Sequence, residues 1–296
     1  MKLGVITATL NSAAHLARAM AGLPASVEHL VIDGGSTDAT EEIARARSGT
    51  RFIAMPGSSI YEAWNAGLRA STADVVCFVN SDDEVRWHAP EEVLACFAAT
   101  RELEIVNGGF RYVDDSGCDA AGLPPARAAA PLTLDTVLFD VCAINARWFR
   151  RSLFERLGGF DAGYALAADR EWLLRCMLHE PRQAVAAGLT YAYRIHLGSQ
   201  TLDATRRNAL RIGVEHMAMA EAYLAHDALP ARDALQRFHA AATLTAAAAA
   251  WRTRRLGALA GICAKALRKQ PSWPLHVPAV LAARRRRLRL RRGADA

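Results

Sequence analysis

The chain has 296 residues, 52% hydrophobic and 22% charged, with a formal net charge of +6. That balance excludes a disordered or fibrous chain and allows one large α/β core, or a core with an appendage. The excess charge is local, because residues 284–292, Arg-Arg-Arg-Arg-Leu-Arg-Leu-Arg-Arg, hold seven arginines.

Strands and helices alternate from the start. Residues 3–9 form the apolar run of a buried parallel strand, 13–21 a helix, 29–32 a second strand, and 40–46 a helix with Glu41 and Glu42 in its first turn. A third strand is expected at 51–54, a helix at 61–69, a fourth strand at 74–79, a helix at 91–100 and a strand at 104–110. From 114 to 131 the composition shifts to Gly, Pro and Ala, which reads as a loop over the active face. Residues 145–156 follow as strand then helix, with a turn at 158–161, a helix at 169–179 and a strand at 191–196. From about residue 205 the chain reads as Ala-rich helix, and no internal repeat is evident.

The six cysteines, Cys77, Cys96, Cys118, Cys142, Cys176 and Cys263, form no Cys-x-x-Cys and sit mostly in apolar runs. They are expected as buried thiols of a reducing compartment, neither a disulfide frame nor a zinc site. No export signal is expected at the amino terminus, which enters a strand at once. Residues 238–251 fall short of the ~20 apolar residues of a membrane span and read as a packed helix.

Two segments run an apolar strand straight into carboxylates: Val31-Ile32-Asp33-Gly34-Gly35-Ser36-Thr37-Asp38, and Val75-Val76-Cys77-Phe78-Val79-Asn80-Ser81-Asp82-Asp83. In an open α/β sheet ligands bind outside the carboxyl ends of the strands, so Asp33, Asp82 and Asp83 are expected in one crevice. Carboxylates there suit a divalent metal and a diphosphate, whereas the plain alternative is a pair of turns whose Asp, Ser and Thr cap helices.

Together with Gly4-Val5-Ile6-Thr7-Ala8-Thr9-Leu10-Asn11-Ser12, the two segments resemble the family 2 glycosyltransferases of GT-A fold in order and spacing. Ile60-Tyr61-Glu62-Ala63-Trp64-Asn65-Ala66-Gly67-Leu68 resembles an Ile-Tyr-Asp-Ala-Met-Asn-Lys-Gly stretch of bacterial members that build capsule, exopolysaccharide and colanic-acid-type polymers. The resemblance covers roughly residues 3–200. It implies a Rossmann-like, mostly parallel sheet flanked by helices, with a nucleotide-sugar-binding half at 1–113 and an acceptor and catalytic-base half at 114–203; beyond it, 204–296 reads from composition as an Ala-rich helical extension with a basic tail.

The resemblance also assigns roles. Asp33 bonds the nucleotide base, Thr7, Thr9 and Asn11 line the same pocket, and Asn65 lies on the helix that crosses under the donor. Asn80-Ser81-Asp82-Asp83 occupies the place of the Asp-x-Asp motif, with Asn80 where the first acid would stand, so Mn²⁺ or Mg²⁺ falls to Asp82, then Asp83, with His196 completing the shell. Asp169 matches the catalytic base, although Ala168 replaces a customary Glu and spacing alone reads Asp169 as a helix cap. Trp64 occupies a position where many relatives carry Arg.

The function these features imply is inverting transfer of a sugar from a nucleotide sugar, expected as a UDP-sugar, to a glycan or lipid-linked acceptor in cell-envelope biosynthesis. The alternatives are a non-catalytic, transferase-like binding subunit, kept open by Asn80, Ala168 and Trp64, and a sugar-phosphate nucleotidyltransferase, disfavoured because no Gly-rich loop with Arg and Lys follows Val5. The tail at 284–292 points to an anionic membrane surface or to a plain solvated end, and no nucleic acid partner is expected. A cytoplasmic protein, peripheral at the inner face of the membrane, is the expected location.

Overall fold

The computed structural model describes residues 1–85, 89–120, 126–141, 143–195, 208–226 and 231–294. By its contacts the chain divides into two units, the first made of Met1–Val137 and Val141–Ser199, the second of Leu138–Asp140 and Gln200–Ala296.

The first unit is built on one eight-stranded sheet. Its strands are β1 (Leu3–Thr9), β2 (Glu28–Asp33), β3 (Thr50–Ala54), β4 (Val75–Phe78), β5 (Glu84–Val85), β6 (Ile105–Val113), β7 (Arg147–Arg150) and β8 (Gln183–Arg194), in the order β3-β2-β1-β4-β7-β6-β8-β5. β3, β2, β1 and β4 are mutually parallel, as are β6 and β8, while β7 runs antiparallel between them and β5 closes the edge against β8. β1, β2 and β4 are buried along nearly their whole length, as central parallel strands covered on both faces are. Leu30, Val31, Ile32, Val75, Val76, Cys77 and Phe78 are all fully buried.

The helices of this unit are α1 (Ala13–Ala21), α2 (Thr40–Ala46), α3 (Ile60–Ala70), α4 (Ala89–Ala99), α5 (Leu134–Phe139, which runs into the second unit), α6 (Arg151–Leu157) and α7 (Ala168–Met177). The start of α3 is fixed by a capping box, in which the Ser59 hydroxyl accepts from the Glu62 N–H and the Glu62 carboxylate accepts from the Ser59 N–H at 2.7 Å. α3 lies close on β1 because Gly67 faces Ile6, where an added Cβ would stand 2.3 Å from Ile6 Cγ2.

Behind α3 sits an aromatic wall that carries α7. Trp64 packs on Phe78 and Phe160 at 4.8 and 5.4 Å between ring centroids, and Phe154 stacks on Trp172 at 4.0 Å. Trp64 is thus a core residue.

The second unit is helical: α8 (Ala209–Leu224), α9 (Arg232–Arg252), α10 (Leu256–Lys269) and α11 (Trp273–Ala294). Its core is small-residue packing, with Ala242, Ala246, Ala250 and Ala266 buried beside Met217 and Ile262. Gly213 permits the approach of α8 to α9, since a Cβ there would meet the Ala246 backbone at 2.7 Å. Among the described residues no helix is long and apolar enough to cross a membrane.

Candidate functional site

Because β2, β1 and β4 are adjacent and parallel, their carboxyl ends open at one edge, and the loops that leave them are stitched together there. The β2 loop is organised by Asp33. Its Oδ1 accepts from the Thr9 hydroxyl at 2.9 Å and the Ser36 hydroxyl at 2.5 Å, and its Oδ2 from the Gly35 and Ser36 N–H groups at 3.0 and 2.8 Å. Burial pulls this carboxyl upward, but the bonds from Ser36, Thr9 and Gly35 win and hold it below the ordinary Asp value. Gly35 turns the chain at φ +103°, a conformation side chains resist.

The β1 loop joins in. Asn11, itself at φ +50°, accepts at Oδ1 from the Thr37 N–H and donates its own N–H to the Ser36 hydroxyl. Asp38 ties both helices that follow, accepting from the N–H groups of Ala13, first in α1, and Thr40, first in α2. Asp38 thus takes the first N–H of each helix, and Asp33 shapes the turn. Ser12 donates its N–H to the Thr40 hydroxyl at 2.8 Å and shares a 2.7 Å bond with the Ser81 hydroxyl, which links the β1 and β4 loops. Thr7 points elsewhere: it is buried, with Oγ1 3.1 Å from His29 Nε2 inside the sheet.

In the β4 loop the two acids part. Asp83 is 2% exposed and turned inward, its carboxylate accepting from the Arg194 N–H, the Tyr191 hydroxyl and the Asn80 amide at 2.7, 2.8 and 2.9 Å. Burial, then the neighbouring Asp82, pushes the Asp83 carboxyl up to about 8 against those bonds. Asn80 also receives the Asn145 amide on its Oδ1 at 3.3 Å. Asp82 is half-buried on the turn itself. The expectation that Asp82 and Asp83 jointly face a metal gives way to a division of labour: Asp83 and Asn80 fasten the loop to β8, and Asp82 sits on the more open side. Among the described residues no three His, Cys, Asp or Glu side chains gather as a metal cage. A site with one carboxylate still fits Mg²⁺ or Mn²⁺, which take one or two protein carboxylates and complete their shell with substrate phosphates and water. His196 lies outside the described residues.

Asp169 stands in the first turn of α7, its Oδ1 accepting from the Tyr61 hydroxyl at 3.2 Å and the Arg170 N–H at 2.8 Å. Tyr61 is at the start of α3, the helix that leaves β3 at the same sheet edge, so this bond brings Asp169 to the other loops. Burial raises the Asp169 carboxyl above the usual range, partly offset by the Arg170 charge and the two hydrogen bonds. Tyr61 was not marked as a site residue by the sequence, since its partner lies 108 positions away.

The turn ahead of α7 is held from outside. Asn65 donates its amide to the Phe160 carbonyl and accepts the Phe160 N–H, both at 2.8 Å, while Trp172 and Arg175 bond the carbonyls of Gly158, Leu157 and Gly159. Asn65 thus bonds this turn with both ends of its amide and supports the loop ahead of Asp169.

The model of the glycosyl transferase family 2 domain matches residues 4–158, more than half of the chain and the stretch that carries β1, β2, β4 and their loops. The chain belongs to glycosyl transferase family 2. An uncharacterised glycosyltransferase of Mycobacterium tuberculosis is 29% identical over 186 residues, which cover 59% of this chain and 68% of that one. A PGL/p-HBAD biosynthesis glycosyltransferase of Mycobacterium bovis is 27% identical over 183 residues, covering 58% and 68%. Among solved structures, residues 1–349 of Staphylococcus aureus TarS in complex with UDP-GlcNAc superpose with a TM-score of 0.59 at 18% identity, over 81% of this chain and 71% of that one. A mannosyltransferase of Pyrobaculum calidifontis, with GDP-Man and Mn²⁺, gives 0.57 at 17% identity, over 95% and 86%. The sheet with its flanking helices is thus the GT-A fold, and the chain is a glycosyltransferase.

Proposed function

We propose that this family 2 enzyme transfers a sugar with inversion from a UDP-sugar to a glycan or lipid-linked acceptor of the cell envelope. The observation that carries the proposal is the Tyr61–Asp169 contact, which holds a carboxylate of raised pKa at the edge where β1, β2 and β4 end. A base poised above the ordinary Asp range is better matched to taking a proton from a hydroxyl at neutral pH.

In this reading the base of the donor settles over the Gly34-Gly35 turn. Asp33 meets it by exchanging one of its rotatable hydroxyl partners, Ser36 or Thr9, for the ring N–H. Asn11 keeps the rim of that pocket in place. Asp82 would hold Mn²⁺ or Mg²⁺, whose charge, when bound, offsets that of the departing diphosphate. Asp169 accepts the proton of the acceptor hydroxyl as its oxygen bonds to the anomeric carbon on the face opposite the diphosphate. That single displacement inverts the carbon. UDP is favoured by the match of the Ile32 to Asp38 turn to the family pattern and by the UDP-GlcNAc held in the TarS structure.

The basic tail at 284–292 supports a peripheral place on the cytoplasmic face of the membrane, where a lipid-linked acceptor is reached. The site is tested by calorimetry of UDP and UDP-sugars with Mn²⁺ and with chelator. Tighter binding with metal, lost in Asp82→Asn, is the expected result, and equal affinity in both conditions would remove the metal role of Asp82.

A further inference from the structure

Residues 234–294 contain fourteen arginines and lysines and no carboxylate, so the rest of the chain carries eight more acids than bases. Seven of those cations lie ahead of the tail, and three of them, Arg252, Arg254 and Arg255, crowd the tip where α9 turns into α10. The tip is tightly closed: the N–H groups of Thr253, Arg254 and Arg255 bond the carbonyls of Ala249, Trp251 and Ala250 at 3.1, 3.0 and 2.9 Å. The inner sides of the hairpin bury Ala242, Ala246, Ala250, Ile262 and Ala266, and the large apolar side chains of the tip are left out of that core. Trp251 is 65% exposed, Leu256 60%, and every residue from 251 to 258 is open to solvent.

A merely solvated turn has no use for an exposed indole and leucine. A nucleic-acid surface would interleave several aromatics with its cations, and this tip has one. A second copy of the same face would set like charge against like. An anionic bilayer answers both features at once, because Trp favours the membrane–water interface and guanidinium forks match lipid phosphates.

We propose that the α9–α10 tip is a membrane-docking element. It seats Trp251 and Leu256 in the interface of an anionic bilayer while Arg252, Arg254 and Arg255 bind headgroup phosphates. This deepens the peripheral placement proposed above, adding an inserting element to an electrostatic tail, and does not depend on the donor chemistry.

The test uses the full chain with vesicles of phosphatidylcholine, with and without phosphatidylglycerol. The wild type should bind only the anionic vesicles, and Trp251→Ser/Leu256→Ser, which keeps every charge, should bind about tenfold more weakly. Brominated lipid should quench tryptophan fluorescence in the wild type, and Trp251→Phe should lose most of that quenching while still binding. Serine variants that bind as tightly as the wild type, or quenching unchanged in Trp251→Phe, would overturn the proposal. So would self-association abolished by the serine variant, or tighter binding to RNA than to vesicles. UDP-sugar binding in solution is measured on the same variants: its absence in the wild type would sink the donor reading and leave the docking result standing.

Discussion

Asp169 is held between a tyrosine hydroxyl and a backbone N–H in a place that lifts its pKa, and two consequences follow for turnover. Asp169→Asn should lower turnover by ~10² or more with donor affinity near that of the wild type, because general base catalysis is typically worth 10² to 10⁴. If that variant instead loses thermal stability and keeps its rate per folded molecule, Asp169 is only a helix-start residue. Tyr61→Phe removes a bond that favours the ionised carboxylate, so the acidic limb of the pH–rate profile should move to higher pH. His29 makes a separate, structural prediction. Burial, then the Arg47 charge, lowers its pKa to about 3, so the folded protein keeps it neutral where the unfolded chain, near 6.5, takes up a proton. Stability should therefore fall with acidification between about 6.5 and 3, by up to roughly 1.4 kcal/mol per pH unit from this group. His29→Gln, which can still meet the Thr7 and Thr50 hydroxyls, should flatten that slope in denaturant titrations at several pH values.

The elements behind these residues were unevenly legible. β1, α1 and α2 fall where periodicity and turn residues placed them, since each is a buried strand or a helix with its own start signal. β5 is not legible in the sequence because Glu84–Val85 is a strand only through its pairing with β8, and the first half of β8, where Val185 is the one branched residue among Ala and Gly, depends equally on β6. The site divides in the same way. Asp33 is announced by its turn, but the inward rotation of Asp83 is fixed by Tyr191 and Arg194, more than a hundred residues away. Asn65 shows best how an element does its work through another, for α3 reaches across to the Phe160 backbone with both ends of one amide. Asn65→Leu orphans that N–H and carbonyl and should cost about 1–3 kcal/mol in equilibrium unfolding. It should also lower kcat more than it raises the KM for donor, because the turn it releases precedes Asp169. A variant of unchanged stability would show the amide pairing to be dispensable.

At the scale of the whole molecule, charge is sorted along the chain: an acidic catalytic portion, then a stretch of residues 234–294 without a carboxylate. Truncation after Ala283 should weaken sedimentation with anionic vesicles, most visibly at low salt because screening shortens the reach of exposed charges to ~8 Å at 0.15 M, and should leave UDP affinity unchanged. Equal sedimentation of the full and shortened chains would dispose of the tail as a tether. The central claim, that the strand-end loops and Asp169 form a working donor site, is tested most directly by a panel of UDP-, GDP- and dTDP-sugars incubated with Mn²⁺, reading release of the nucleoside diphosphate by wild type and Asp169→Asn. Metal-dependent release from a UDP-sugar by the wild type, sharply reduced in the variant, is the result predicted. No release from any donor, or release that is indifferent to both chelator and the Asp169 substitution, would contradict it.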